Sequence, residues 1–291
     1  MDSKQALTVA RLISRAYRQM GVTAINVGDK DLLYGIKFLQ EEASHGLPLI
    51  SANLINPSTN LPFFPPYIIK NIANIRIAFF GLLSPDLEPA MQKATAGKIM
   101  VKDPVETTHK IMKSLSGRAD FIVLLSDLGL DGEREVIRTA PGIPFVLGGH
   151  EGSFFPSPTT EGQTVVLQSF HKGMYAGKLQ LIVEKQSSPF QDEGRNDRIK
   201  RQLHDLDVRL QALKQSRNAP QKQDLSPIIQ EISKQKAQLQ KELQHSRVSS
   251  FGGNRFLWTM VPLDASFTED SEVAEWIRQA GIGIREDKVP R

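Results

Sequence analysis

The stretch ADFIVLLSDLGLDGEREVIRTA, residues 119–140, decides the fold class of this chain. It begins with a run of apolar residues, leaves that run at Ser126 and Asp127, and continues with charged and apolar residues mixed at helical spacing. A continuous apolar run predicts a strand covered on both faces, and the mixed pattern predicts a surface helix. The stretch therefore predicts one strand–helix unit of an α/β protein.

The same alternation of apolar runs and helical spacing continues through most of the chain. Strands are predicted at 22–27, 48–54, 75–83, 119–129, 143–150 and 254–264, and a strand hairpin at 164–170 and 177–185. Helices are predicted at 5–20, 32–46, 104–117, 131–140 and 270–281. The order of the elements indicates an α/β architecture with covered sheets.

The composition limits the classes of protein to consider. With 291 residues and 40% hydrophobic residues the chain is long enough to bury a sizeable core. No apolar run approaches the roughly 18 residues that predict a membrane span, and the N-terminal residues do not form the apolar core of an export signal. The absence of cysteine excludes disulfides, thiolate metal sites and thiol catalysis, so a metal site would use His, Asp, Glu or Asn.

Residues 191–247 differ in kind from the rest of the chain. They hold 12 of the 36 Lys and Arg residues but only 8 of the 32 Asp and Glu residues, so they account for the net charge of +4. Apolar residues follow a heptad spacing in two series that are separated by a polar turn. The predicted seam consists of Ile199, Leu203, Leu206, Leu210 and Leu213, followed by Ile229, Ile232, Lys236, Leu239 and Leu243.

This spacing predicts an antiparallel helical hairpin at 191–247, inserted into an α/β domain made of 1–190 and 248–291. The segment lacks the interleaved aromatic residues of many nucleic-acid-binding surfaces, and acidic residues are mixed with its basic ones. We therefore expect it to bind a protein partner or a second copy of the chain, and not nucleic acid.

Three loops that follow predicted strands carry polar clusters. They are Gly28-Asp29-Lys30-Asp31, Ser126-Asp127-Leu128-Gly129 and Gly148-Gly149-His150-Glu151-Gly152. Sites of α/β proteins lie at such strand ends, so these loops are the candidates for chemistry.

Together with the segments around them, these loops resemble the calcineurin-like metallophosphoesterases, in the branch of the 5′-nucleotidases and UDP-sugar hydrolases. The resemblance extends over about residues 17–185 and includes the segments ISANL, DFIVLLSDLGLDGERE, IPFVLGGHEG and VVLQSFHKGMYAGKLQLIV. It implies an α/β/β/α sandwich, here lacking its first strands, with a dinuclear metal site at the strand ends. In such a site two divalent ions clamp a phosphate and activate a bridging water.

Carried over one position at a time, the resemblance implies an altered site. Asp29 stands where the family has a ligating Asn, and Asp127 stands where it has a ligating His. His150 matches a family ligand, whereas Gly152 replaces the last ligand and supplies no donor atom. Lys30 stands where the family has its catalytic His, and an ammonium group is a poor proton shuttle near neutral pH.

The first two motifs of the family, an Asp-x-His and a Gly-Asp, have no counterpart in this sequence, nor does the nucleoside-binding domain that follows in the 5′-nucleotidases. We expect a degenerate 5′-nucleotidase-like protein that is non-catalytic or weakly active, with no bound cofactor and a helical hairpin for association. The alternative is a metal-dependent phosphoester hydrolase completed by N-terminal sequence missing from this chain, using Mn, Zn, Fe or Mg. The resemblance implies the periplasm as its location.

The remaining histidines have simpler interpretations. His171 lies in a loop that approaches the site in the family, but a solitary His in a polar turn is usually solvated. His45, His109, His204 and His245 lie on predicted helices or at their ends and have no partners at ligand spacing, so we expect them at the surface.

Overall fold

The computed structural model describes residues 3–150, 157–170, 173–184, 189–216, 225–246 and 252–282. Its helices are α1 (Ser3–Gln19), α2 (Gly35–Ser44), α3 (Pro89–Thr95), α4 (Pro104–Leu115), α5 (Gly129–Thr139), α6 (Arg195–Ser216), α7 (Ser226–Ser246) and α8 (Ser271–Gln279). A short 3-10 helix, Lys30–Tyr34, precedes α2.

The strands alternate with these helices along most of the chain. They are β1 (Ile25–Asn26), β2 (Leu49–Ile50), β3 (Leu54–Ile55), β4 (Tyr67–Ile72), β5 (Ile75–Leu83), β6 (Met100–Val101), β7 (Phe121–Asp127), β8 (Phe145–Gly148), β9 (Thr159–Glu161), β10 (Thr164–Gln168), β11 (Tyr175–Ile182), β12 (Gln191–Asp192) and β13 (Arg255–Pro262). The predicted α/β class is confirmed.

The chain divides into two compact units. The first contains residues 1–177 and 260–291, and the second contains residues 178–259. The predicted helical pair lies in the second unit together with strand residues on either side of it.

A six-stranded sheet forms the centre of the first unit, in the order β4-β5-β7-β8-β10-β9. Strands β5, β7, β8 and β10 are parallel, and the edge strands β4 and β9 are antiparallel to their neighbours. Parallel neighbours end at the same edge of a sheet, so the loops after β7 and β8 lie side by side. The short strand β1 pairs with β2 in parallel and lies against β5 and β7.

Two groups of buried apolar side chains hold this unit together. One joins β5, β7 and β8 to α4 and α5, as expected for strands that alternate with helices packed on the sheet. The other joins β1, α2, α3 and the end of β5. Its largest fully buried members include Leu32, which directly follows the first polar loop, and Leu83, which pairs with Asp127 in the sheet. The polar loops therefore connect strands and helices that are packed into the core.

Side-chain caps define where two of the helices begin. Asp103 Oδ1 accepts a hydrogen bond of 2.7 Å from the Glu106 N–H, and Pro104 occupies the first turn of α4. Asp270 Oδ1 accepts from the N–H groups of Glu272 and Val273 at the start of α8. These contacts satisfy donors that have no partner within the helix.

The sequence was wrong about the strand hairpin at 164–170 and 177–185. In the described part of the chain β10 pairs with β8 and β9, whereas β11 belongs to a separate sheet with β13 and β12. The physical reason is the difference in burial pattern. Strand β10 is almost wholly buried, whereas β11 alternates between half-buried and exposed residues, so the two do not suit the same sheet.

Helices α6 and α7 of the second unit pack against each other. Ion pairs join Arg195 to Glu242 and Asp207 to Lys236, and the reversed order of these partners shows that the helices are antiparallel. Along both helices the predicted seam positions are the less exposed ones, with Ile199, Leu210 and Ile232 buried. In the described residues no helix is long and apolar enough to span a bilayer.

Candidate metal centre

Three of the predicted site residues lie together at the strand ends. Asp29 follows β1, Asp127 is the last residue of β7, and His150 follows β8 after Gly149. One potential ligand atom from each side chain lies within 4.8 Å of the other two. The strand topology thus assembles residues that are far apart in sequence into one group.

Asp29 is held rigidly in this group, but one of its oxygens is left without a partner. Its N–H donates to Asp127 Oδ2 at 2.7 Å, and its Oδ1 accepts from the Lys30 N–H at 2.6 Å at the start of the 3-10 helix. The residue is only 3% exposed, and its Oδ2 has no hydrogen-bond partner among the described residues. A buried carboxylate oxygen without a partner is costly, so this oxygen is suited to a cation or to a hydrogen-bond donor.

Asp127 is the electrostatic centre of the group. Burial raises its pKa to about 6, and the neighbouring Asp29 carboxylate adds to the rise, while the Asp29 N–H and His150 act in the opposite direction. His150 Nδ1 lies 3.4 Å from Asp127 Oδ1, and its side chain is 33% exposed. Two carboxylates and an imidazole therefore face each other, and burial together with the second carboxylate makes ionisation of Asp127 costly.

The loops reach this arrangement through close backbone approach. A Cβ atom on Gly28 would lie 3.2 Å from Asp127 Oδ1, so the glycine leaves room for the carboxylate. The Gly149 N–H donates to the Ser126 carbonyl at 2.9 Å and ties the loop after β8 to the end of β7. The Gly28 N–H donates to Asp31 Oδ2 at 2.8 Å and closes the turn before the 3-10 helix.

These side chains fit a divalent cation. Carboxylate oxygens suit hard cations, and an imidazole beside them widens the choice to manganese, zinc or iron. The buried Asp29 Oδ2, which has no partner among the described residues, is an additional oxygen suited to such a cation. Asp29, Asp127 and His150 would hold it. Three protein ligands leave positions for water or for a phosphate oxygen on one ion.

The group lies in a cavity of about 310 Å³, which is large enough for a phosphate-sized ligand. Lys30 lines this cavity, and the residue is exposed to solvent. Asp31 and Ser126 of the predicted polar clusters also line the cavity, as does Asn26, which the sequence analysis did not single out. The signal for Asn26 was present, since it is the polar residue in the otherwise apolar end of the VTAINV segment.

The other predicted positions stand apart from this group or outside the described residues. Gly152 and His171 belong to the segments that the structure does not describe. His45, His109 and His204 are exposed, as expected, and the side chain of His245 is not among those described.

Comparisons with known proteins find similarity to nucleotidases and to calcineurin-like phosphoesterases. No protein-family model matches the chain. A 2′,3′-cyclic-nucleotide 2′-phosphodiesterase/3′-nucleotidase of Salmonella typhimurium is 26% identical over 164 residues, which are 50% of this chain and 25% of that protein. A 5′-nucleotidase of Vibrio cholerae is 27% identical over 176 residues, or 49% of this chain and 31% of that protein. The matches thus span less than a third of either relative.

Among solved structures, the calcineurin-like phosphoesterase YfkN from Bacillus subtilis is similar with a TM-score of 0.60. The similarity covers 93% of this chain and 72% of that one at 16% sequence identity, so it bears on the fold alone. The chain is thus similar to the calcineurin-like metallophosphoesterases of the 5′-nucleotidase type, in sequence over about half of its length and in its fold.

Proposed function

We propose that this chain binds one divalent cation at Asp29, Asp127 and His150 and is, by itself, a non-catalytic or weakly active protein of the metallophosphoesterase fold. The observation that carries the proposal is the buried Asp29 Oδ2, which has no partner among the described residues and lies in a group with two further donors. The proposal goes further than the sequence, from which no bound cofactor was expected, because the sequence could not indicate that this oxygen is buried and unpaired.

Weak activity follows from the number of donors. A two-metal hydrolase holds both the attacking and the leaving oxygen between two ions, and a bound cation here would polarise phosphate oxygens from one side only. In the described part of the chain the group has three members. Lys30 stands at the position of the acid/base His, and its ammonium group can attract a phosphate but is a poor proton donor and acceptor near neutral pH.

The alternative function is that of a metal-dependent phosphoester hydrolase in which further ligands complete a two-metal site. Its support is that Asp29, Asp127 and His150 come from three separate loops and lie together. They do so although Asp29 and Asp127 are not the residue types that the metallophosphoesterases have at these positions. The nucleotidase names of the relatives suggest nucleoside phosphates as substrates in that case. A longer form that binds two ions and hydrolyses phosphoesters would establish this alternative.

Phosphatase activity is expected to be near background with nucleoside monophosphates in the presence of Mn²⁺. The Lys30→His substitution is not expected to restore it, because the missing element is the second ion and not only the proton shuttle. Released phosphate should be measured for both proteins, with Lys37→His, an exposed lysine on α2, as the matched control. Metal-dependent turnover that appears in the Lys30→His protein alone would show that a complete site was present.

We also propose that the helical pair α6 and α7 mediates association, with a homodimer as the simplest case, and that the protein acts in the periplasm. Support for association comes from apolar side chains outside the seam, since Val208 is 53% exposed and Ile228 is 44% exposed. Lys236, the polar residue of the seam, forms an ion pair with Asp207 of the other helix. Support for the periplasm is family resemblance, which cell fractionation would test.

Replacement of residues 194–247 by a short Gly/Ser linker is expected to leave the first unit folded and to remove association. The residues just before this segment lie next to the residues just after it. The Gln191 N–H donates to the Asn254 carbonyl at 2.9 Å, and the Glu193 N–H donates to the Phe256 carbonyl at 3.0 Å. Sedimentation of the intact and shortened proteins would measure the change in mass. Identical monomer masses, with the same proteins captured by both forms, would exclude this role.

A further inference from the structure

Glu133 is a buried carboxylate on α5 that lies outside the candidate metal centre. It is only 3% exposed, on the face of the helix that also buries Val136 and Ile137. Glutamate is rarely buried to this extent, and an apolar side chain would fill such a position without the cost of removing a charge from water. The carboxylate at this position therefore has to be explained by what it contacts.

The Glu133 carboxylate lies against the end of β8. A Cβ atom on Gly148 would lie 2.7 Å from Glu133 Oε1, so a side chain fits there only if the carboxylate moves away. The φ of Gly148 lies outside the left-handed region, so its dihedral angles do not require glycine. Among the described residues, Glu133 is the group that excludes a side chain at this position.

The carboxylate approaches the strand end from the side opposite to the cation cavity. Leu147 lines the cation cavity, and successive residues of a strand face opposite sides, so the position of Gly148 faces α5. Glu133 lines a different cavity of about 120 Å³, between α5 and strands β9 and β10. The carboxylate thus supports the end of β8 from behind and is not a candidate ligand.

The loop that carries His150 begins at this strand end. Gly149 alone separates Gly148 from His150, and its N–H donates to the Ser126 carbonyl at 2.9 Å. A shift of the backbone at Gly148 would therefore alter this hydrogen bond and move the imidazole. The contact between Glu133 and Gly148 controls the part of β8 from which His150 leaves the sheet.

We propose that Glu133 is a positioning residue of the cation site, whose carboxylate fixes the end of β8 and so places the His150 imidazole beside Asp127. The proposal rests on the cation site proposed above and adds a support that does not touch the ion. Residues that orient metal ligands contribute to metal affinity although they are not ligands themselves.

Amide hydrogen exchange of the Gly149 N–H, followed by NMR in the metal-free protein, tests the support of the strand end. Glu133→Ala is expected to accelerate this exchange at least about 10-fold, because local opening becomes less costly. Glu133→Gln keeps an oxygen beside Gly148 and should exchange within about threefold of the unsubstituted protein. Glu135→Ala, at an exposed position of the same helix, is the control with the same change in charge.

Calorimetric titration with Mn²⁺ measures the consequence for the cation site. Glu133→Ala is expected to weaken binding by about 10-fold, whereas Glu133→Gln and Glu135→Ala should each change it by less than about threefold. Gly148→Ala displaces the carboxylate, so it should accelerate the exchange of Gly149 and weaken binding in the otherwise unsubstituted protein. It should add little to Glu133→Ala, because the two substitutions disrupt the same contact.

The outcomes separate support of the loop from binding of the cation. Unchanged exchange or unchanged Mn²⁺ affinity in a folded Glu133→Ala protein would overturn the proposal, and so would additive effects of Glu133→Ala and Gly148→Ala. If Glu133→Ala does not fold, Gly148→Ala decides, and normal exchange and affinity in that variant would count against the contact. Absence of Mn²⁺ binding by the unsubstituted protein would overturn the cation site, whereas the exchange rates would still decide whether Glu133 holds the strand end.

Discussion

Replacement of Asp29 by alanine is expected to weaken Mn²⁺ binding by at least about 100-fold, because outer-sphere residues alone account for roughly 10–100-fold in other metal sites. The substitution removes the one carboxylate oxygen of the group that is buried and unpartnered among the described residues. Its effect should exceed that of any other single substitution in the cavity. Calorimetric titration with Mn²⁺ at neutral pH measures the affinity.

Asp131→Ala is the matched control for this prediction. The Asp131 side chain is 99% exposed on α5, so its removal changes the net charge by the same amount without touching the group. The control should bind Mn²⁺ as the unsubstituted protein does. An equal loss in both variants would mean that diffuse negative charge, and not the Asp29 carboxylate, attracts the ion.

Asp127→Asn is expected to stabilise the metal-free protein at neutral pH by up to about 3 kcal/mol, since one pKa unit corresponds to about 1.4 kcal/mol. Burial raises the pKa of Asp127 from 3.8 to about 6 in the folded protein. The folded state therefore binds this proton more tightly than the unfolded state, and stability falls as the pH rises from about 4 to about 6. The substitution removes this loss, so its benefit should be present above pH 6 and absent near pH 4.

Denaturant unfolding in the presence of a chelator, at several pH values, measures the effect. Asp120→Asn is the control of opposite sign, because hydrogen bonds from Arg76 lower the pKa of Asp120. Stability from that carboxylate is present above the unfolded-state pKa and is lost as the pH falls through the folded-state pKa, so Asp120→Asn should destabilise the protein at neutral pH. If Asp127→Asn destabilises at pH 8, the carboxylate is better satisfied in the metal-free protein than the geometry indicates.

Much of the candidate site could be predicted from the sequence because strand ends are easy to recognise. Asp29, Asp127 and His150 each follow an apolar run, and parallel strands bring such residues to one edge. The sequence could not show which side-chain oxygens are buried and which of them have hydrogen-bond partners. The burial of Asp29 Oδ2 depends on contacts between segments far apart in sequence, such as the hydrogen bond from the Asp29 N–H to Asp127, which lies 98 positions further along the chain.

The fold shows a similar division between local and distant information. The burial periodicity of α6 and α7 followed from the heptad spacing, since it depends on neighbours within one helix pair. The partner of β10 did not follow, because nearness in sequence favoured β11, whereas burial on both faces favoured β8. The two-residue strand β1 was predicted to be longer than it is, since an apolar run also occurs where the chain is packed without a ladder.

The central claim is that Asp29, Asp127 and His150 hold one divalent cation. Its most direct test is the metal content of the purified protein after equilibrium dialysis against Mn²⁺, determined by elemental analysis alongside the Asp29→Ala variant. We expect about one tightly held equivalent per chain, absent from the variant, because three donors surround one point in the described residues. Two tightly held equivalents, or none in the unsubstituted protein, would contradict the claim.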